Sequence, residues 1–270
     1  MTDDDVTWLA EYEEDGEVYF RIGTTGPEVL AEWLGLARLR ASRDGSCSHL
    51  TFEADADPRD IEKIRRGSAW LLQRQLEGRL GMHGAAVSVD GKAVVFLGRS
   101  GAGKSTFAAA MCARGAALLA DDAVAIDPGH EPGTWVVAPR EIDHWLDPPS
   151  RGALGGRTAG QAKEPVRTLR PATGAARLAT FVELSFDADE SDLAPRLELQ
   201  SGIHAVAAMV PQMARFVLDE PARQRSELDL IHAMLATTRV FRLSRPRRFD
   251  RLRTSVDRVL ELLGSDRWRV

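Results

Sequence analysis

The sequence predicts an α/β fold, with a small α+β region over residues 1–80 and a larger domain over residues 81–270. Three observations predict it. Two short apolar runs, Ala85 to Val89 and Ala93 to Leu97, lead into a glycine-rich loop and then a helical stretch to Arg114. A further apolar run, Ala116 to Ala120, follows and ends in Asp121-Asp122. Strand, glycine-rich loop, helix and strand in this order form the core of a phosphate-binding α/β domain. Before residue 81 the texture differs, with loosely alternating segments and then one amphipathic stretch.

The first region reads as follows. Residues 6–23 alternate (Val6, Trp8, Ala10, Tyr12, then Val18, Phe20, Ile22) around Glu13-Glu14-Asp15-Gly16-Glu17, which predicts two strands joined by an acidic turn. Pro27 is expected to open a helix through Leu36, with Val29, Leu30, Trp33 and Leu34 on one face. Leu50 to Glu53 reads as a strand. Asp57-Pro58 predicts a helix start, Asp57 as the cap and Pro58 in the first turn. That helix carries Ile61, Ile64, Ala69, Leu72 and Leu76 past Gly67.

In the second region, Asp90-Gly91 between the two apolar runs predicts a hairpin turn. Gly115 suits a helix C-cap. The strand at 116–120 is expected to stop at the Asp pair and resume over Ala123 to Ile126. Residues 127–175, rich in Pro, Gly, Arg and Asp, predict loops around short elements. Leu178 to Phe186 predicts a buried strand, 203–218 and 221–236 two helices, and Val240 to Leu243 a short strand. Asp250 to Leu263 places Leu252, Val256, Val259, Leu260 and Leu263 at helical spacing.

Composition excludes several classes. The 270 residues are 44% hydrophobic and 28% charged, a globular balance rather than that of a disordered chain or a fibre. Two cysteines, Cys47 and Cys112, rule out a disulfide framework and a four-cysteine zinc site. The longest apolar runs fall far short of the ~20 residues that span a bilayer, so no membrane partner is expected. Met1-Thr2-Asp3-Asp4-Asp5 lacks the basic and apolar regions of a signal peptide, and a cytoplasmic location is expected. The net charge of -5 argues against nucleic acid as a partner. Lysine is scarce beside arginine, occurring only at Lys63, Lys92, Lys104 and Lys163, which makes each one informative.

Gly98-Arg99-Ser100-Gly101-Ala102-Gly103-Lys104-Ser105 fits the P-loop pattern G-x-x-x-x-G-K-[ST]. Its glycines, Gly98, Gly101 and Gly103, let backbone N–H groups converge on phosphate oxygens, with Ser100 and Ala102 completing the loop. The helix that follows adds its positive N-terminal end. Lys104 can reach the β- and γ-phosphates, and the Ser105 hydroxyl can ligate Mg²⁺, with Thr106 as a substitute. ATP and Mg²⁺ are therefore the expected cofactors. In Asp121-Asp122 one carboxylate can serve the magnesium and the other accept the proton of an attacking hydroxyl. Asp122 is the expected metal ligand with Ser105, although which aspartate takes which role stays open. His83, just before the hairpin, could stabilise phosphate charge and orient the acidic pair.

His83-Gly-Ala-Ala-Val, Gly91, the run from Val94 to Ser105, Arg114-Gly115 and Leu118 to Asp122 together resemble the catalytic domain of the HPr kinase/phosphorylase family. The strong part covers Met82 to Ile126. The resemblance implies a P-loop fold similar to phosphoenolpyruvate carboxykinase and transfer of phosphate from a nucleotide to a protein serine. It also implies that one Asp of the pair is the catalytic base, that the other serves magnesium, and that His83 and Lys104 lie at the phosphates. HPr kinases proper carry a second glycine-rich signature downstream, of which Arg151 to Arg157 is only a faint echo, and a larger N-terminal domain. The chain is more similar to HPr kinase-like proteins of peptide natural-product clusters, such as lasso-peptide kinases. They share the compact N-terminal region and a tail like Val240 to Leu243 followed by a basic turn and helix. This points to a Ser or Thr hydroxyl of a peptide or protein as the acceptor, a ribosomal precursor peptide among them. HPr kinases form hexamers, so a homo-oligomer is a further expectation.

Other residues carry weaker signals. Lys163, with Arg167 and Arg170, is either a basic loop that clamps phosphate or a solvated one. Arg140 and His144 fall in a segment that can pass near the site. His130, His204 and His232 lack ligand spacing. Cys112 is expected to pack within its helix. Arg245 to Arg248, with Arg251 and Arg253, forms a basic cluster that could receive an acidic peptide or nucleic acid but reads rather as a solvated helix entrance. Two other functions stay open, a small-molecule kinase acting on free serine or another alcohol, and a nucleotide-dependent switch.

Overall fold

A computed structural model describes residues 6–156, 163–187, 194–216, 221–265 and 269. The acidic start Met1 to Asp5, residues 217 and 218 of an expected helix, and Arg157 lie outside the described residues. The chain divides into two compact units, Met1–Gly81 with Ala214–Leu230, and Met82–Met213 with Ile231–Val270.

The first unit holds an antiparallel five-stranded meander, β1 (Thr7–Glu14), β2 (Glu17–Thr25), β3 (Glu28–Trp33), β4 (Ala37–Ser42) and β5 (Ser48–Phe52), in sequence order. Asp15 and Gly16 take positive φ (53° and 83°) in the expected acidic turn. The helix expected from Pro27 does not form, because its residues are the central strand β3. All but the first residue of β3 are buried, and its unbroken apolar stretch Val29-Leu30-Ala31 hides the strand period. Glu32 within it is buried yet paired at 2.6 Å to Arg21 on β2 and at 2.6 Å to Arg38 on β4. The opposite face carries Phe20, Ile22, Ala31, Trp33 and Leu39 into a core closed by Ile64, Leu72 and Leu76.

Those last residues come from two helices, α1 (Pro58–Arg66) and α2 (Ser68–Leu76), where one was expected. The break is at Gly67, which has non-helical φ and ψ of -93° and -106°. Asp57 caps α1 as predicted, accepting from the Arg59 N–H at 2.7 Å. Residues 214–230, assigned from sequence to the second domain, belong to this unit. The Phe216 N–H donates to Gln75 Oε1 at 2.8 Å, and Arg223 donates to the carbonyls of Gln75 and Leu76 at the end of α2.

The second unit is built on a seven-stranded mixed sheet. Its strands are β6 (Leu80–Val89), β7 (Lys92–Leu97), β8 (Ala117–Pro128), β9 (Trp135–Val137), β12 (Ala176–Phe186), β13 (Arg196–Gln200) and β14 (Arg239–Arg245). They lie in the order β13-β14-β12-β7-β6-β8-β9. A two-stranded ribbon of β10 (Asp143–Leu146) and β11 (Glu164–Arg167) stands apart. The Asp90-Gly91 turn joins β6 and β7 as expected, with φ of 49° and 75°. β7 is antiparallel to β6 and parallel to β12, with Val95 opposite Phe181. The helix after the glycine-rich loop is α3 (Lys104–Ala113). It packs on the sheet through Phe107 and Met111, beside Val256 and Val259 of α7 (Leu252–Gly264). The Phe96 and Phe107 rings meet edge to face at 5.0 Å.

Three further α-helices among the described residues are α4 (Pro148–Ala153), α5 (Ile203–Met209) and α6 (Pro221–Leu235). The helix expected over 203–218 leaves α geometry at Met209, where Val210-Pro211-Gln212 tightens into a 3-10 turn and Met213 is extended. Two further departures bear on the site. β8 runs without a break through Asp121-Asp122 instead of stopping there. And β6 lies between β7 and β8, so the loop and the acidic pair do not sit on adjacent strands.

Candidate active site

The glycine-rich loop leaves β7 at Gly98, whose φ is 137°. A Cβ there would stand 2.8 Å from the Leu184 carbonyl on β12, so no side chain fits. Gly101 and Gly103 also take positive φ, 79° and 81°. Gly103 is the N-cap of α3 and no side chain caps that helix, leaving its first-turn N–H groups without intrahelical acceptors. Lys104 is buried and its Nζ donates to the Gly98 carbonyl at 2.7 Å and the Arg99 carbonyl at 3.3 Å. Desolvation lowers its pKa, against the pull of Asp122. A buried cation, positive-φ glycines and an uncapped helix N-terminus are the features a cradle for phosphate oxygens requires.

The acidic pair faces this cradle from the middle of β8. Successive side chains of a regular strand point to opposite faces. Asp122 breaks that alternation with a φ of 79°, and both carboxylates line one crevice with His83, Lys104 and Ser105. Aspartate tolerates this backbone region better than most residues. The two carboxylates differ in setting. Asp121 is 2% exposed, and its Oδ2 accepts from the Trp145 N–H at 2.9 Å. Burial pushes its pKa up to about 7, while the Trp145 N–H and the Ser105 hydroxyl pull the other way. Asp122 is more open, with its Oδ1 3.3 Å from His83 Nδ1. Desolvation lowers the His83 pKa, with Asp122 opposing and Lys104 and Lys163 assisting.

The donor set fits a magnesium ion. Asp121 Oδ1 is buried with no hydrogen-bond partner among the described residues. Carboxylate and hydroxyl oxygens are the hard donors that Mg²⁺ takes. No group of three or more His, Cys, Asp or Glu among the described residues forms a complete cage. Mg²⁺ takes one or two carboxylates and completes its shell from phosphates and water.

Residues 74–155 match the family described as HPr Serine kinase C-terminal domain. This stretch of the chain is HPr kinase-like. It is 40% identical over 77 residues to the HPr kinase/phosphorylase of Caldicellulosiruptor bescii, covering 28% of this chain and 25% of that protein. The Streptococcus salivarius HPr kinase/phosphorylase is 38% identical over 78 residues, 29% of this chain and 25% of that one. The chain thus spans about a quarter of the length of these curated relatives. Among solved structures, the Hpr(Ser) kinase/phosphatase from Coxiella burnetii aligns with 68% of this chain and 97% of its own. At 12% identity and a TM-score of 0.37, that likeness is weak.

The HPr kinase-like stretch contains every residue lining the crevice except Lys163. Of the residues expected from sequence, His83, Ser100, Gly101, Gly103, Lys104, Ser105, Thr106, Asp121 and Asp122 come together there. Gly98 and Ala102 stand behind the wall, their carbonyls accepting from Lys104 and from Arg245. The Thr106 hydroxyl is engaged with that of Ser150 at 2.7 Å. Lys163 does line the crevice, whereas Arg140 and His144 do not.

Arg245 corrects the reading of its basic cluster as solvated. It is 5% exposed, donates to the Ala102 carbonyl at 2.9 Å and lies over the Phe186 ring at 4.5 Å. Trp145 and Asp147 were missed. Trp145 contributes its backbone, which no sequence pattern marks. Asp147 caps α4, accepting from the Ser150 N–H at 2.8 Å, and the run Asp147-Pro148-Pro149-Ser150 carries that helix-start signal.

Proposed function

We propose that residues 81–270 form a P-loop kinase domain of the HPr kinase and phosphoenolpyruvate carboxykinase type. It transfers the γ-phosphate of ATP to a Ser or Thr hydroxyl of a peptide or protein. The observation that carries this reading is the convergence on one crevice of the glycine-rich loop, Lys104, Ser105 and two carboxylates in unlike settings. The match of residues 74–155 supports it. A ribosomal natural-product precursor is among the peptide acceptors this reading includes. The reading includes a cytoplasmic location, a homo-oligomer and no nucleic-acid or membrane partner. Among the described residues no helix is long and apolar enough to cross a membrane.

In this mechanism Ser105 and Asp121 would hold Mg²⁺, which moves the cation from Asp122, its expected ligand, to the buried carboxylate with the unpartnered oxygen. When bound, the ion offsets the charge of the β- and γ-phosphates. Lys104 and the first-turn amides of α3 hold the same phosphates. Asp122, open to the crevice, takes the proton of the acceptor hydroxyl as its oxygen bonds to the γ-phosphorus. The bond from that phosphorus to the bridging oxygen breaks and ADP leaves. His83 keeps the Asp122 carboxylate aimed at the acceptor.

The test is ADP release from Mg·ATP with a pool of Ser- and Thr-containing peptides, with free serine, and with no acceptor. Peptide-stimulated release that is lost in Lys104→Ala and in Asp122→Asn is expected. Stimulation by free serine alone would make the enzyme a small-molecule kinase. Turnover indifferent to every acceptor would overturn the transferase reading in favour of a nucleotide switch.

A further inference from the structure

On the other side of the glycine-rich loop lies a second cavity. It shares Gly101, Gly103, Thr106 and Asp147 with the crevice and has a volume of about 310 Å³. That is the lower end of the range for small-molecule sites. Its outer walls are Phe186, at the end of β12, and the turn Arg247-Arg248-Phe249 after β14. We propose that this cavity receives the nucleoside of the phosphate donor, with the base stacked among Phe186, Arg247 and Phe249. The inference rests on the reading of the crevice as the phosphate-transfer site and adds where the rest of the donor lies.

Direction comes first. The carboxylates, His83 and Lys163 lie on the crevice side of the loop only. A triphosphate lying along the loop with its reactive end at Asp122 must pass its nucleoside out of the far side. The cavity opens there, against the same glycines.

Chemistry comes second. Three arginines would also suit an acidic peptide, but two of their charges are already engaged. Arg245 is buried on the Ala102 carbonyl, and Arg248 bonds both carboxylate oxygens of Asp250, at 3.1 and 2.9 Å. What the walls present instead is flat π surface. Arg247 lies 5.3 Å over the Phe186 ring, and Phe249 is 48% exposed although it is a large apolar side chain. Aromatic rings and guanidinium planes are the surfaces on which nucleobases stack, whatever the base.

The test compares binding of ATP, ADP and inorganic tripolyphosphate, each with Mg²⁺, by calorimetry. The proteins are the full chain and its Phe249→Ala and Arg247→Ala variants, both truncated at exposed positions. The wild type should bind ATP more tightly than tripolyphosphate. Phe249→Ala should weaken ATP and ADP about tenfold while tripolyphosphate changes less than twofold, and Arg247→Ala should act in the same sense. Equal losses for ATP and tripolyphosphate, or no loss for ATP in either variant, would overturn the proposal. So would an acidic peptide that displaces ATP from the wild type but binds neither variant, since it would give the cavity to the acceptor. If the ATP contrast holds but no acceptor ever receives phosphate, the nucleoside site stands and the kinase reading falls. If the wild type binds neither ATP nor tripolyphosphate, both fall.

Discussion

Truncating Arg245 should loosen the glycine-rich loop from behind. Its guanidinium, 5% exposed, lies 4.5 Å from the Phe186 ring centre and 5.6 Å from that of Phe107, and donates to the Ala102 carbonyl at 2.9 Å. A hydrogen bond from a charged donor contributes about 1.5–3 kcal/mol. Stacking of a desolvated guanidinium on aromatic rings adds about 1–2 kcal/mol. Against these stands the cost of burying the charge. Burial lowers the Arg245 pKa to about 10, and Nε has no hydrogen-bond partner among the described residues. Arg245→Ala removes the favourable part, leaves the Ala102 carbonyl unpaired and opens a void between two rings, for a net loss of about 3 kcal/mol. For a domain of this size that is a fall of roughly 6–12 °C in Tm, read by circular dichroism. Arg245→Lys keeps the charge but not the planar face and should lose about half as much. On the proposed function the KM for ATP should rise in step, because the carbonyl that Arg245 holds belongs to the glycine-rich loop. An Arg245→Ala protein that melts within 1 °C of wild type with an unchanged KM would refute the clamp.

Three further outcomes are expected. Gly98→Ala places a Cβ 2.8 Å from the Leu184 carbonyl, whereas Gly101→Ala meets nothing within 4 Å. Denaturant titration should show the first losing about 2 kcal/mol or more and the second about 1 kcal/mol from its left-handed backbone alone; equal losses would refute the steric account. Asp122→Gly should lose phosphate transfer but gain about 1 kcal/mol over Asp122→Ala in the same titration, because only glycine is relaxed at a φ of 79°. His144 is 3% exposed and burial lowers its pKa to about 4, below the 6.5 of an ordinary histidine. The unfolded chain therefore binds more protons between those values, so stability should fall as pH drops from 6.5 towards 4, by about 3 kcal/mol at most. His144→Gln should flatten that slope, and an unaltered slope would assign acid sensitivity elsewhere.

Much of the site could be read from local sequence, because the chemistry demands particular residues at fixed spacing. In the G-x-x-x-x-G-K-[ST] pattern Gly98 and Gly103 leave room for backbone to approach phosphate, and Lys104-Ser105 follow at once. The turn glycines and the cap Asp57 were legible for the same reason, since φ and helix ends are decided within a few residues. The failures are non-local. β3 is buried along nearly its whole length in the middle of the meander, so Val29-Leu30-Ala31 shows no strand period and resembles a helix, and Glu32 is buried there because Arg21 on β2 and Arg38 on β4 pair with it. β4 does alternate, Ala37, Leu39 and Ala41 against Arg38 and Arg40, but small residues and arginines made a weak signal. Trp145 enters the site through its backbone N–H, for which no side-chain pattern exists.

The sequence by itself determined the kind of chemistry. A glycine-rich loop with its lysine and serine, a pair of aspartates and a histidine are a local inventory, and their residue types suit the proposed phosphate handling before any packing is known. Only the tertiary structure decided how that inventory divides its work. Asp121 and Asp122 are identical neighbours in the chain. One is buried against the Trp145 N–H from a separate ribbon, and the other is turned by a left-handed backbone towards His83. Arg245, 143 residues from Ala102 in sequence, becomes part of the loop's support only because β14 and β12 bring it there. Burial, and with it the cost of holding a charge, is a property of what surrounds a residue, and those surroundings come from distant parts of the chain.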